Sequence, residues 1–284
     1  MQSADNENWT SILKPKSKWF ELNLRELLHY KDLILLFVRR DFVAYYKQTI
    51  LGPLWFLIQP LFTTIVFTVI FGKIANIPTD GLPKILFYLS GLVCWNYFAD
   101  CLNKTSNTFV NNAGIFGKVY FPRLVIPLSV VLTNLITFCI QFLLFIVFLV
   151  YFYSKGVTVH FGYSIFLMPL LLLQMAMLGL GMGIIVSSMT TKYRDLNFAV
   201  GFGVQLWMYA TPIVYPLSSV PEKLRWIYFF NPMSSIIENF RHAFLGVGSI
   251  NAEQYFFSFG MTVLILMIGI VLFSRVEKNF MDTV

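Results

Sequence analysis

Residues 39–72 read RRDFVAYYKQTILGPLWFLIQPLFTTIVFTVIFG, and they pass without a break from a charged amphipathic segment into a long apolar one. From Leu51 to Gly72 the chain has no Asp, Glu, Lys, Arg or His. A run of about 20 such residues, rising about 1.5 Å each in a helix, spans a hydrocarbon core of about 30 Å. The segment therefore predicts a membrane-spanning helix.

The composition of the whole chain agrees with a membrane protein. Of its 284 residues, 57% are hydrophobic and 12% are charged, whereas about a quarter of an average soluble domain is charged. The net charge of +7 would suit nucleic acid or anionic lipid, but the basic residues lie between the apolar runs. We therefore expect membrane lipids, and no nucleic acid, as partners.

Six uncharged runs predict an all-α integral membrane protein with six transmembrane helices. The runs are 51–72, 85–99, 128–151, 165–189, 197–215 and 255–274, and Asp100 is expected to end the second. The amino-terminal arm and the connections on its side of the membrane hold 15 Lys and Arg residues, against 6 on the other side. The positive-inside rule then places both termini in the cytoplasm.

The chain before the first run divides into two parts. Residues 1–20 are polar and predict a mobile terminus. Residues 21–50 predict a cytoplasmic amphipathic helix lying in the membrane interface, because leucines recur at steps of three and four between charged residues. An ordinary solvated helix end is the alternative. Residues 51–284 form the predicted membrane domain.

The connection from Thr211 to Phe257 is too charged to span a membrane and too apolar to be a free loop. Ser218 and Ser219 before Pro221 predict one helix start. Asn231 followed by Pro232 predicts a second, and Gly246 predicts its end. The result is two short re-entrant helices between spans five and six. Glu238 is three residues before Arg241 and four before His242, which is the spacing of paired side chains on a helix surface.

Several kinds of chemistry are not supported by the sequence. The uncharged runs hold none of the ionisable groups that couple ions in pumps and secondary transporters. No GxxxxGK[ST] phosphate-binding loop is present. Cys94, Cys101 and Cys139 lack metal-ligand spacing and are interpreted as packing residues. The expected function is therefore not enzymatic, and the chain either conducts passively or is driven by another subunit.

The loop from Asn103 to Arg123 is the candidate surface for such a subunit. It predicts a short helix with exposed Phe116, Val119, Tyr120 and Phe121. Exposed apolar residues suggest a docked partner, but aromatic anchoring at the membrane interface is the alternative.

Five motifs in one order closely resemble the ABC-2 type polysaccharide-export permeases, and most closely the Wzm-type lipopolysaccharide O-antigen permeases. They are RRDFVAYYKQTILGPLW (39–55), GKVYFPRLVIPLS (117–129), YRDLNFAV (193–200), ATPIVYP (210–216) and NPMSSIIENFRHAFLG (231–246). The resemblance implies a homodimer in the bacterial inner membrane, bound to two ATP-binding cassette subunits. These subunits would hold ATP and Mg²⁺, with no cofactor in this chain, and the cargo would be an undecaprenyl-diphosphate-linked polysaccharide.

The resemblance also implies roles for individual residues. The expected glycan channel is lined by Trp55, Phe56, Gln59, Gln205, Trp207, Tyr209 and Tyr215. Segments 27–46 and 103–121 would rest on the ATPase, with Phe116, Lys118, Val119 and Tyr120 in contact. The expected periplasmic gate comprises Pro221, Arg225, Asn231, Pro232, Glu238 and Arg241, on helices over 221–230 and 232–245. Arg39, Arg40 and Lys47 would bind the lipid diphosphate at the cytoplasmic entrance, or else anchor the inner leaflet.

Three other functions stay open at this point. A teichoic-acid or capsular polysaccharide permease has the same class of mechanism with a different glycan. A membrane scaffold for glycan synthesis would bind a glycosyltransferase and no ATPase. A passive channel would conduct without ATP.

Overall fold

The computed structural model describes residues 24–47, 49–116, 118–119, 121–157, 163–190, 193, 195–248 and 251–283. The predicted polar terminus, residues 1–20, lies outside these residues, as does Tyr120. The helices are α1 (Leu24–His29), α2 (Lys31–Lys47), α3 (Trp55–Phe67), α4 (Lys84–Ser106), α5 (Thr108–Phe116), α6 (Val125–Ser154), α7 (Met168–Thr190), α8 (Leu196–Tyr209), α9 (Arg225–Phe229), α10 (Pro232–Leu245) and α11 (Ala252–Thr283). The described residues contain no strand.

Five helical segments among the described residues are long and apolar enough to cross a membrane. They are Gly52–Ile74, Lys84–Ser106, Val125–Ser154, Ile165–Thr190 and Ala252–Val276. The all-helical membrane fold is thus confirmed. Within the run 197–215, however, α8 ends at Tyr209 after 14 residues, about 21 Å at helical rise. The count of six spans stays a prediction.

Helix α4 lies at the centre of the bundle, against α3, α6, α7 and α10. Its close approach to α7 depends on a glycine. A Cβ added at Gly183 would lie 2.6 Å from Thr105 Cβ and 3.1 Å from the carbonyl oxygen of Leu102. Small residues let membrane helices approach closely enough for their backbones to pack.

The helix of the second span does not end at Asp100, where the span is expected to end. Helix α4 continues to Ser106, and the side chain of Lys104, one turn after Asp100, compensates the carboxylate at 3.8 Å. Lys104 also donates a hydrogen bond of 2.7 Å to Asn134 Oδ1 on α6. The two opposite charges and the amide thus lie together on the part of α4 beyond the predicted end of the span.

The predicted amphipathic helix is present as α1 and α2, which meet at Tyr30. Its buried side enters an aromatic cluster made of Phe37, Phe109, Phe116, Phe121 and Phe273. Phe109 stacks on Phe273 with ring centroids 4.6 Å apart, and Phe116 lies 5.7 Å from Phe121. This cluster joins α2 and α5 to α11.

The expectation that Phe116 and Phe121 are exposed is therefore wrong, since only 6% and 5% of their surfaces are accessible. The loop folds back on itself and puts its phenylalanines inside. Val119 is 59% exposed, and Lys118 is also exposed.

The predicted ends of α10 are confirmed. Asn231 Oδ1 accepts a hydrogen bond from the Met233 amide, Pro232 occupies the first turn, and Gly246 ends the helix with a φ of 70°. The predicted start at Ser218 is not a side-chain cap. Its hydroxyl instead donates to Asp80 Oδ1 at 2.7 Å, on the connection between α3 and α4.

Candidate functional site

Arg241 on α10 occupies the most heavily bonded position among the described side chains. Its Nη1 donates to the carbonyl of Pro212 at 2.6 Å, and its Nη2 donates to that of Ile213 at 3.1 Å and that of Phe87 at 3.3 Å. Its Nε donates to Ser90 Oγ at 3.3 Å. The guanidinium thus ties α10 to the start of α4 and to the turn that follows α8.

The surroundings of this guanidinium keep it charged. Glu238 Oε1 lies 3.7 Å from Arg241 Nη1, and the Phe87 ring centroid lies 3.7 Å from the guanidinium carbon. Burial lowers the pKa of Arg241 to about 10, and the carboxylate of Glu238 acts in the opposite direction. The group is therefore protonated at neutral pH.

The interpretation of Glu238 and Arg241 as a helix-surface pair is wrong, because Arg241 is 1% exposed and Glu238 is 6% exposed. A signal for this lay in the turn ATPIVYP, which is apolar and contains two prolines. A buried turn of that kind leaves carbonyl groups that need donors from elsewhere in the fold. Gly91 makes room for the contact, since a Cβ there would lie 3.0 Å from Arg241 Nη2.

Two glutamines lie on exposed faces of apolar helices. Gln59 is on α3 and Gln205 is on α8, and neither side chain has a hydrogen-bond partner within the described part of the chain. Gln205 lies nine residues into its helix, about 13 Å from the helix start. A carboxamide placed in hydrocarbon without a partner costs about 2–7 kcal/mol. The faces that carry these glutamines are therefore poorly suited to lipid.

The other expected channel residues divide into two groups. Trp55 and Tyr209 are exposed beside the two glutamines. Trp207 is half-buried against Trp95 and Phe98 of α4. Tyr215 donates to the carbonyl of Tyr209 and pairs with the hydroxyl of Tyr228 at 2.7 Å. The contact with Tyr228 links the turn after α8 to α9.

Phe56 was expected to line the channel, and it does not lie on the exposed face of α3. It is 7% exposed and stacks on Phe42 of α2, with ring centroids 6.0 Å apart. The amphipathic helix α2 covers this end of α3, so Phe56 lies away from the exposed face that carries Gln59.

The expected entrance residues Arg39, Arg40 and Lys47 are exposed along α2. Arg40 Nε donates to Asp41 Oδ1 at 2.7 Å, and its guanidinium lies over the Phe37 ring at 4.6 Å. The expected gate residues separate by burial. Pro221 and Arg225 are exposed, whereas Asn231, Pro232, Glu238 and Arg241 are buried.

Within the described residues, no three His, Cys, Asp or Glu side chains cluster closely enough to hold a metal ion. The polar groups of the described residues are arranged in other ways. They form buried polar links between helices, exposed amides on apolar helices, and a charged amphipathic arm.

Comparison with known proteins identifies the family. A family model described as ABC-2 type transporter matches residues 32–245. The O-antigen export system permease protein RfbA of Klebsiella pneumoniae is 29% identical over 251 residues, 88% of this chain and 94% of that protein. RfbA of Myxococcus xanthus is 27% identical over 263 residues, which cover 92% of this chain and 98% of that protein.

A third relative is less similar. The capsule polysaccharide export inner-membrane protein CtrC of Neisseria meningitidis is 22% identical over 271 residues, covering 90% of this chain and 95% of that protein. The family match extends from α2 through α10 and includes both glutamines and Arg241. The chain, a multi-pass membrane protein, belongs to the ABC-2 type transporter family.

Proposed function

We propose that this chain is the permease subunit of an ATP-driven exporter that moves undecaprenyl-diphosphate-linked O-antigen polysaccharide across the bacterial inner membrane. The end-to-end similarity to two proteins named as O-antigen export permeases supports this substrate. The capsule exporter is more distant, so a capsular or teichoic-acid glycan is the less favoured cargo.

The observation that carries a transport role is the exposure of Gln59 and Gln205 on apolar helices. A sugar polymer needs neutral donors and acceptors along its path, and aromatic faces for its C–H surfaces. Trp55 and Tyr209 supply such faces beside the two amides. In our proposal, the faces of α3 and α8 from two copies of the chain enclose the path at the dimer seam.

The proposed complex has two copies of this chain and two ATP-binding cassette subunits that hold ATP and Mg²⁺. Each chain crosses the membrane six times, with α8 and the following turn as the fifth crossing and both termini in the cytoplasm. The excess of Lys and Arg on one side supports this orientation. Helices α9 and α10 then lie at the periplasmic end as the re-entrant gate.

The proposed ATPase surface consists of exposed apolar residues of α2 and α5 and of the loop after α5. Leu35 and Leu36 of α2, Val110 of α5, and Val119 are apolar and exposed, and Lys118 lies beside them. Buried Phe116 supports this surface from inside. Val119→Glu should therefore lower ATPase binding and export together, and Ile74→Glu, at an exposed site after α3, serves as the matched control.

The function is tested by deleting the gene and measuring lipid-linked glycan in separate cytoplasmic and surface pools. Finished polymer trapped inside, with none at the surface and with recovery on complementation, supports export and identifies the glycan. Absence of polymer from both pools would instead assign the chain to synthesis. Unchanged surface polymer, in a strain with no second permease, would refute the proposal.

A further inference from the structure

A cavity of about 710 Å³ lies between α2, the start of α3, the end of α4, α5 and α6. This volume is within the range of about 300–1,000 Å³ found for small-molecule sites. Five asparagines line it, namely Asn103, Asn107, Asn111, Asn112 and Asn134, together with three threonines. The cavity is separate from the exposed faces of α3 and α8.

The two cations at this cavity already have partners. Arg40 is paired with Asp41 at 2.7 Å, and Lys104 donates to Asn134 Oδ1 at 2.7 Å with Asp100 at 3.8 Å. An anionic ligand would compete with these contacts. The charges at the cavity are therefore balanced, and what it offers a ligand is hydrogen bonding by neutral groups.

Part of that hydrogen-bonding capacity is unused. Among the residues that the structure describes, the side-chain amides of Asn103 and Asn111 make no hydrogen bond. A carboxamide offers two donors and an acceptor, and a hydroxyl group can both donate and accept. The stacked rings of Phe42 and Phe56 form an apolar part of the wall, which suits the C–H face of a sugar ring.

We propose that this cavity is a binding site for a neutral polyhydroxyl group, namely a sugar unit next to the diphosphate of the lipid-linked glycan. The inference rests on the proposed export function, and it adds a site within a single subunit. Asn103 and Asn111 bind hydroxyl groups, and half-buried Phe42, backed by Phe56, packs on the ring. The polyol headgroup of a bilayer lipid has the same chemistry and is the competing source.

The test uses the purified full chain in nanodiscs of phosphatidylethanolamine, without an ATPase. Two probes are compared, undecaprenyl diphosphate bearing one hexose and bare undecaprenyl diphosphate. The wild type should bind the hexose-bearing probe about tenfold more tightly, equivalent to about 1.4 kcal/mol. Asn103→Ala with Asn111→Ala should reduce this preference to twofold or less while leaving the affinity for the bare lipid unchanged.

Asn251→Ala, at the start of α11 and outside the cavity, is the matched control and should keep the tenfold preference. A preference that survives in the double variant would overturn the proposal, as would equal loss of affinity for both probes. Loss of the preference when phosphatidylglycerol is added would assign the cavity to a lipid headgroup instead. Failure of the wild type to bind either probe would count against the export function itself, whereas equal binding of both would refute this site alone.

Discussion

Replacing Arg241 by methionine should strongly destabilise the fold. The change keeps much of the side-chain volume and removes the planar cation. It removes the guanidinium donor from the backbone carbonyls of Pro212 and Ile213 and one of the donors from that of Phe87, which also accepts from Ser90 Oγ at 2.8 Å. It also removes the positive charge 3.7 Å from Glu238. All of these groups lie in the interior of the protein.

The magnitude follows from two opposing contributions. Hydrogen bonds to a charged group each contribute about 1.5–3 kcal/mol, and Arg241 makes four of them. Removing the guanidinium also removes its desolvation cost, which is several kcal/mol. Breaking a buried pair by deleting one partner costs about 3–5 kcal/mol in measured cases, and we expect Arg241→Met to fall in that range.

The assay is the midpoint of thermal unfolding of the purified chain in detergent. At about 2–4 °C per kcal/mol for a chain of this order of size, the midpoint should fall by about 10 °C. Arg241→Lys should recover less than half of the loss, because one ammonium cannot replace a planar fork. Arg225→Ala is the matched control, since Arg225 is exposed and makes one hydrogen bond, to the carbonyl of Val220. Equal midpoints for Arg241→Met and Arg225→Ala would refute the reasoning.

Three further predictions concern packing, transport and burial. Gly183→Ala should lower the free energy of unfolding by about 1–3 kcal/mol through overpacking against α4, whereas Gly260→Ala, with nothing within 4 Å of the added Cβ, should raise it by up to about 1 kcal/mol. Thermal unfolding checks this, because the midpoint should fall for Gly183→Ala and rise for Gly260→Ala. Gln205→Leu should keep the thermal midpoint and reduce surface polymer several-fold; unchanged surface polymer would remove Gln205 from the path. Phe116→Ala should lower the free energy of unfolding by about 3–5 kcal/mol, and Val119→Ala should lower it by less than about 0.5 kcal/mol. Similar losses for the two variants in chemical denaturation would contradict the burial of Phe116 and the exposure of Val119.

The spans and the ends of α10 could be predicted from the sequence, because both depend on local composition. A run of about 20 uncharged residues selects a membrane helix whatever surrounds it. Asn231, Pro232 and Gly246 act within one turn of the helix that they limit. Such signals are complete within a short window, and the structure has long apolar helices at five of the six predicted runs and both predicted ends of α10.

The role of Arg241 could not be predicted in the same way. The i,i+3 spacing of Glu238 and Arg241 is the same on a surface helix and on a buried one. What decides between them is the set of distant acceptors, Pro212 at 29 positions and Phe87 at 154 positions away. Likewise, the burial of Phe116 depends on Phe273 and Phe37 reaching the same place in the fold. Periodicity carries no information on such contacts.

The arrangement around α4 limits how its two ends can influence each other. At one end, Phe87 and Ser90 hold Arg241 and, through it, the turn after α8. At the other end, α4 is separated from α5 by Asn107 alone, whose φ of −100° and ψ of 11° depart from helical values. The side chain of Asn107 donates to the carbonyl of Asn103 and closes the end of α4. A displacement of α5 is therefore passed along α4 only if Asn107 keeps the two helices in fixed orientation. A second route is open through α7, which contacts α5, α4 and α8.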